Sequence, residues 1–262
     1  MLAYLKKAPH RGAFFIVLAC LLQPFPARLS LASDCEAPSG SGLHRVAYVI
    51  DGDTLRLKSG ETVRLIGIDA PELGRDGHPD RPYARQARDA LLQLVEQSGW
   101  RIRLRPGIDP RDRYRRTLAH LYTAGGDNLT AALLRQGVGY QAMVAPNTAH
   151  LACYQEAEGV ARSAGRGLWR TALPEASTLD PADTGFHLMQ GEVKRARRSR
   201  HAVWLELAGD VSVRLPWSVW HQLTADEPEA CVARRLELRG WFYRSKGRLR
   251  VTISHPSALR WR

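Results

Sequence analysis

Residues 44–69, HRVAYVIDGDTLRLKSGETVRLIGID, restrict the fold more than any other stretch of this chain. Branched apolar residues alternate with polar ones around glycine-containing turns, the period of strands that bury one face. A strand meander is expected, with Ser59–Gly60–Glu61 at a hairpin tip. Acidic residues interrupt it. Asp51 and Asp53 flank Gly52 inside the apolar run, and on a continuous strand they would share one face unless a bulge re-aims one. An Asp-Gly hairpin turn is the simpler alternative, but the β-prone residues on both sides weigh against a plain reversal. The segment VRLIGIDAPE then carries Arg64 at one end and Asp69 and Glu72 at the other, with Pro71 breaking the strand between the two acids.

Residues 82–99 place Ala84, Ala87, Ala90, Leu91, Leu94 and Val95 at helical spacing, with Gly99 as a stop. Two strands, RIRLRP and RTLAHLYT, are expected around a charged loop, GIDPRDRYR. A second helix should start at Asn128 as N-cap and end at Gly137, and a third should follow Pro146–Thr148 with Thr148 as cap. Strands first and helices afterwards indicate an α+β domain over 34–170. Residues 171–185, rich in Pro, Ser, Thr and Asp without periodicity, are expected to be a linker. Residues 186–262 hold five short strand-like runs, which suit a second, small all-β barrel. An OB-fold leads among such barrels, although the spacing would suit another.

Charge is uneven along the 262 residues. Residues 34–184 balance 19 Lys/Arg against 19 Asp/Glu, whereas 185–262 hold 15 against 7. The surplus points to a polyanionic partner, with an anionic membrane surface or mere solubility as alternatives. Residues 1–33 carry Lys6, Lys7 and Arg11 before the apolar run AFFIVLACLL and the small-residue stretch SLAS. That pattern predicts a signal peptide and export to the periplasm or medium, or else an uncleaved anchor as the sole membrane contact. No stable protein partner is implied. No CxxC pair occurs, so a zinc or redox site is not expected, and in an oxidising compartment one disulfide, Cys35 to Cys153, is.

If Asp53 and Asp69 lie on neighbouring strands, two or three carboxylates share one site and must be protonated or neutralised. A hard cation neutralises them, and oxygen-only ligands favour calcium over zinc, with magnesium or manganese less excluded. Arg64 and Arg116 can each grip phosphate oxygens bidentately and stabilise charge building on phosphorus. Surface salt bridging is the plainer role for either arginine alone.

In order, IDGDT, RLIGIDAPE, DRYRRTLAHLY, LLRQG and GLW closely resemble the staphylococcal nuclease family over residues 44–169. The resemblance implies a five-stranded OB-type barrel with three helices. It implies calcium held by Asp53, Asp69 and the carbonyl of Ala70, with Asp51 close by, Glu72 orienting or deprotonating the attacking water, and Arg64 and Arg116 holding the scissile phosphate. The expected activity is endonucleolytic hydrolysis of DNA or RNA leaving 3′-phosphates, with a non-catalytic nucleic-acid-binding protein as the alternative. Arg113 and Tyr114, and Lys194, Arg195, Arg197 and Arg198 in the KRARRSR run, are candidate nucleic-acid contacts.

Overall fold

The computed structural model describes Cys35, Ala37 and residues 42–74 and 77–262; the expected signal segment, 1–33, lies outside the described residues. Strands β1 (Leu43–Val49), β2 (Thr54–Leu57) and β3 (Thr62–Leu65) form the meander, and β4 (Gly67–Asp69) follows directly. Helix α1 (Ala84–Gln97) leads to β5 (Arg101–Arg111) and β6 (Thr117–Thr123), then α2 (Leu129–Gln136), β7 (Tyr140–Ala142) and α3 (Leu151–Ser163). Five of these strands close a barrel in the order β1-β2-β3-β6-β5. Every pairing is antiparallel except β3 with β6. This is the Greek-key order of an OB-fold.

Alternation decides which side chains fill it. Val63 and Leu65 point inward with Leu55, Ile102, Ala119 and Leu121, so Arg64 between them must point outward. Helix α1 covers one end through Ala87, Leu91 and Val95, and α2 packs through Leu133 and Leu134. Asn128 caps α2 as expected, accepting the Ala131 N–H at 2.9 Å, and Gly137 closes it in the left-handed region at φ 73°.

Three expectations need correction. Asp51–Gly52–Asp53 is not within a strand: β1 and β2 pair through Val49 and Leu55, so these residues are the hairpin turn itself. The turn closes because the amides of Ile50 and Asp51 both donate to the Thr54 carbonyl. The expected loop at 107–111 continues β5, held by Asn147, whose side-chain amide exchanges two hydrogen bonds with the Asp109 backbone at 2.9 and 2.8 Å. Thr148 does not cap α3; its carbonyl accepts the Leu151 amide, and His150, at φ 63°, takes the cap position while its ring bonds the Tyr122 hydroxyl at 2.9 Å rather than the helix end.

The second barrel contains β8 (Gly185–Arg198), β9 (Ala202–Leu207), β10 (Val211–Pro216), helix α4 (Trp217–Leu223), β11 (Arg235–Ser245) and β12 (Arg248–Thr252), with β13 (Leu259–Trp261) added on β11. Its ring is β8-β9-β10-β12-β11, and again only the third-strand pairing, β10 with β12, is parallel. It encloses its own core around Val203, Leu205, Val213, Leu236 and Val251. Residues 171–185 lie against this barrel: Ala176 is buried in its core and the Pro174 carbonyl accepts the Gln190 amide.

Ionic contacts join the two barrels. Arg162 of α3 makes paired 2.8 Å bonds to Glu237 of β11, and Arg239 bonds Glu158 of α3 at 2.8 Å and the Gln141 carbonyl at 2.9 Å. Arg239 and Glu158 are both buried. For Glu158, burial outweighs Arg239 and raises the pKa. For Glu237, burial also pushes upward, but Arg162, Arg262 and Arg239 prevail and hold it at about 2.

Candidate active site

The β1–β2 turn, the β4 terminus and β3 bring Asp51, Asp53, Asp69 and Arg64 to one place on the first barrel. Gly52 makes the turn fit: a Cβ there would stand 2.5 Å from that of Ala87 and 2.7 Å from that of Ala70, so only glycine lets the backbone lie against α1. Asp53 is almost wholly buried, and both of its oxygens accept hydrogen bonds. Its Oδ1 accepts from Arg64 Nη1 at 2.5 Å and Thr54 Oγ1 at 2.8 Å, and its Oδ2 accepts the Ala70 amide at 3.0 Å. The other Arg64 nitrogen, Nη2, donates to Asp69 Oδ1 at 2.7 Å. The guanidinium therefore bridges the two carboxylates expected to hold a cation. The Asp51 Oδ1 accepts the Asp53 amide at 3.1 Å, which fixes the turn from inside.

One arginine does not neutralise this many acids. Burial first, then repulsion from Asp53, pushes Asp51 up to about 6; the same two causes, against the pull of Arg64, push Asp69 up to about 7. Burial lowers the pKa of Arg64, but Asp53, Asp69, Asp51 and Glu72 together more than reverse this and raise it. Among the described residues, no three His, Cys, Asp or Glu side chains converge as a ready metal cage. Asp51, Asp53 and Asp69 are instead hard oxygen donors in an excess of negative charge, a donor chemistry that suits a hard divalent cation completed by water.

Glu72 lies just beyond Pro71, exposed, near enough to act electrostatically on Asp51, Asp69 and Arg64. Arg116 stands apart from the bridge but on the same face. Arg64 pairs with Leu118 and Val63 with Thr117 across the parallel β3–β6 ladder, which puts Arg116 beside Thr62, outward like Arg64. Asp112, which sequence reasoning passed over, holds it: Oδ2 accepts Arg116 Nε at 2.7 Å, while Oδ1 accepts the amides of Tyr114 and Arg116 at 2.9 Å each. The spacing of Asp112 and Arg116 in DRYRR was the available signal. Burial raises the Asp112 pKa, but Arg116 overrides it and leaves it lowered. The Arg113 and Arg116 guanidinium groups lie 4.7 and 5.5 Å from the exposed Tyr114 ring.

The other expected contacts divide. Lys194 pairs with Glu192 at 2.8 Å and Arg197 with Glu206 at 2.5 Å, while Arg198 pairs with Glu227 and Glu229. Arg195 and Arg197 lie at the outer face of β8, in register with Glu206 and Trp204. Cys35 and Cys153 are joined, their Cα atoms 5.9 Å apart, and Cys231 is a buried free thiol.

One rim of an OB barrel thus carries buried carboxylates bridged by an arginine, with a glutamate beyond them. A family model described as staphylococcal nuclease homologue matches residues 62–171. The chain is 32% identical over 127 residues to the thermonuclease of Staphylococcus intermedius, a match that covers 47% of this chain and 74% of that protein. It is also 32% identical over 127 residues to the probable endonuclease lcl3 of Aspergillus flavus, of which it spans under half (43%), and 29% identical over 157 residues to the SPbeta prophage-derived endonuclease YokF of Bacillus subtilis, at 52% of each. The chain belongs to the staphylococcal nuclease family. The second barrel lies beyond the residues that the family model matches.

Proposed function

We propose that this protein is a calcium-dependent endonuclease that hydrolyses DNA or RNA and leaves 3′-phosphates, and that it acts outside the cytoplasm. The observation that carries this reading is the Arg64 bridge between Asp53 and Asp69, with Glu72 one residue past the Pro71 break. Asp53, Asp69 and the Ala70 carbonyl would hold the cation, which, when bound, neutralises the carboxylates and stabilises charge on the phosphate oxygens. Arg64 on β3 and Arg116 just before β6, both outward, bind the phosphate and oppose the charge that accumulates as phosphorus becomes five-coordinate. Glu72 accepts a proton from the attacking water, or fixes its orientation, from the exposed side of the cluster. The export reading is supported by the basic and apolar pattern of residues 1–33 and by the joined Cys35 and Cys153.

The test is incubation of the purified chain with single-stranded DNA and RNA, with calcium or with chelator, alongside Glu72→Gln. Calcium-dependent cleavage whose products are substrates for a 3′-phosphatase, reduced on the order of 10²- to 10⁴-fold in the variant, is expected. Tight binding without cleavage in any divalent cation would favour the non-catalytic alternative.

A further inference from the structure

Trp241, on β11 of the second barrel, is 42% exposed and lines a cavity of about 110 Å³ together with Arg64, Leu118, Val144 and Pro146 of the first. Trp241 is the aromatic member of a lining that is otherwise aliphatic and polar among the described residues. Its plane is held from behind. It meets Phe186 edge-on at 5.0 Å, Phe186 stacks on Tyr140 at 6.4 Å, and Tyr140 meets Trp169 at 5.4 Å, so the ring is anchored across both barrels.

The outer face of the second barrel continues from this point. Tyr243, 46% exposed, is two residues along β11 and so on the same face as Trp241. It sits opposite Arg250 on β12, whose guanidinium lies 5.5 Å from the Trp204 ring on β9. A cavity of about 280 Å³ opens there, lined by Trp204, Arg250, Arg197, Arg248 and the single acid Glu206. Glu206 is shared between Arg197 and Arg248, at 2.5 and 3.8 Å, and Arg248 also reaches Asp210 at 3.6 Å, so the positive surplus of the lining rests on Arg250. The Arg250 Nε is buried and has no hydrogen-bond partner. A buried donor of that kind wants an acceptor.

We propose that this face is a track for single-stranded nucleic acid continuing from the Arg64 cavity: bases stack on Trp241, Tyr243 and Trp204, and Arg250, Arg197 and Arg248 meet the phosphates. Exposed rings alternating with arginines in an open groove take any base, because every base has a π-face, and they bind the strand in a salt-dependent way. Only the Trp241 end rests on the nuclease reading, since that is where the strand enters the reactive site.

The experiment uses the full chain in chelator, with dye-labelled single-stranded oligonucleotides of three and fifteen nucleotides read by fluorescence anisotropy. Wild-type protein should bind the longer oligonucleotide far more tightly. Trp204→Ala should shrink the ratio of the two Kd values by roughly 5- to 140-fold, the range for removing one base stack. Arg250→Gln, and separately the rim pair Arg197→Gln with Arg248→Gln, should flatten the salt slope of binding by about 0.7 for each phosphate no longer neutralised. In cleavage assays with calcium, Trp241→Ala should raise KM for the longer oligonucleotide more than it lowers kcat, and Trp241→Phe should restore KM. A protein that cuts nothing, yet loses length dependence in these variants, keeps the track and refutes the nuclease reading. Unchanged Kd ratios and salt slopes in folded variants overturn the track, as would arginine-dependent binding to phosphatidylglycerol vesicles with which oligonucleotide does not compete.

Discussion

Two barrels with the same strand order differ in what surrounds an arginine on the third strand. In the first, Arg64 on the third strand lies opposite Thr54, next to the turn that supplies Asp51 and Asp53. In the second, Arg214 on the third strand lies opposite Trp204, and the corresponding turn, Ser199–Arg200–His201, supplies no acid. The shared topology fixes where these side chains emerge; the residues grafted at the turns decide whether the site neutralises carboxylates or presents cations and rings. The acidic rim suits hydrolysis at phosphorus, and the basic, aromatic face suits holding a strand.

The strongest perturbation of this pairing is the removal of Arg239. It leaves Glu158 buried without its guanidinium partner, and Arg239→Ala should cost about 3–5 kcal/mol in chemical denaturation. A loss below about 1 kcal/mol would mean that the barrels dock by other contacts. A smaller effect is expected inside the first barrel alone. Gly52→Ala drives a methyl into Ala87 and Ala70 and should cost about 1–3 kcal/mol while moving Asp53 off the Arg64 bridge. Retention of both stability and activity would contradict the packing account of the turn.

The smallest effect is a pH dependence. Glu237 is held at about 2, below the ordinary glutamate value of 4.5, so the stability it contributes is present above pH 4.5 and is lost as pH falls toward 2. Glu158 shifts the opposite way, and comparison with a variant separates the two. The Tm deficit of Glu237→Gln relative to wild type should be largest above pH 4.5 and shrink below it. A deficit constant from about pH 6 to about pH 3 would show that the Arg162 and Arg262 contacts to Glu237 do not act in solution.

Much of the site was legible because its residues sit at strand ends, where Asp69, Pro71 and Glu72 interrupt an apolar pattern that has no structural use for them. Helix α2 was legible from Asn128 and Gly137, whose caps are local chemistry. The turn at Asp51–Asp53 stands in the sequence only as the alternative to a strand, because β-prone residues flank it on both sides and the close approach that favours it, Gly52 against Ala87 and Ala70, is a tertiary contact. The extension of β5 depends on Asn147, 38 residues away from Asp109. Helix α4, seven residues long, is too short to display a period. In the sequence Trp241 is only one of three consecutive aromatics, WFY at 241–243, because its place in one cavity with Arg64 exists only once the two barrels have docked.

The central claim is a division of labour within the acidic rim, with Asp69 holding the cation and Glu72 acting on the water. Single-turnover cleavage of a labelled oligonucleotide, measured against calcium concentration for wild type, Asp69→Asn and Glu72→Gln, tests it most directly. Asp69→Asn should move half-maximal activity to higher calcium, and Glu72→Gln should lower the rate at saturating calcium while leaving the half-maximal concentration nearly in place. Cleavage that does not depend on calcium, or two variants that shift the same parameter, would contradict the account.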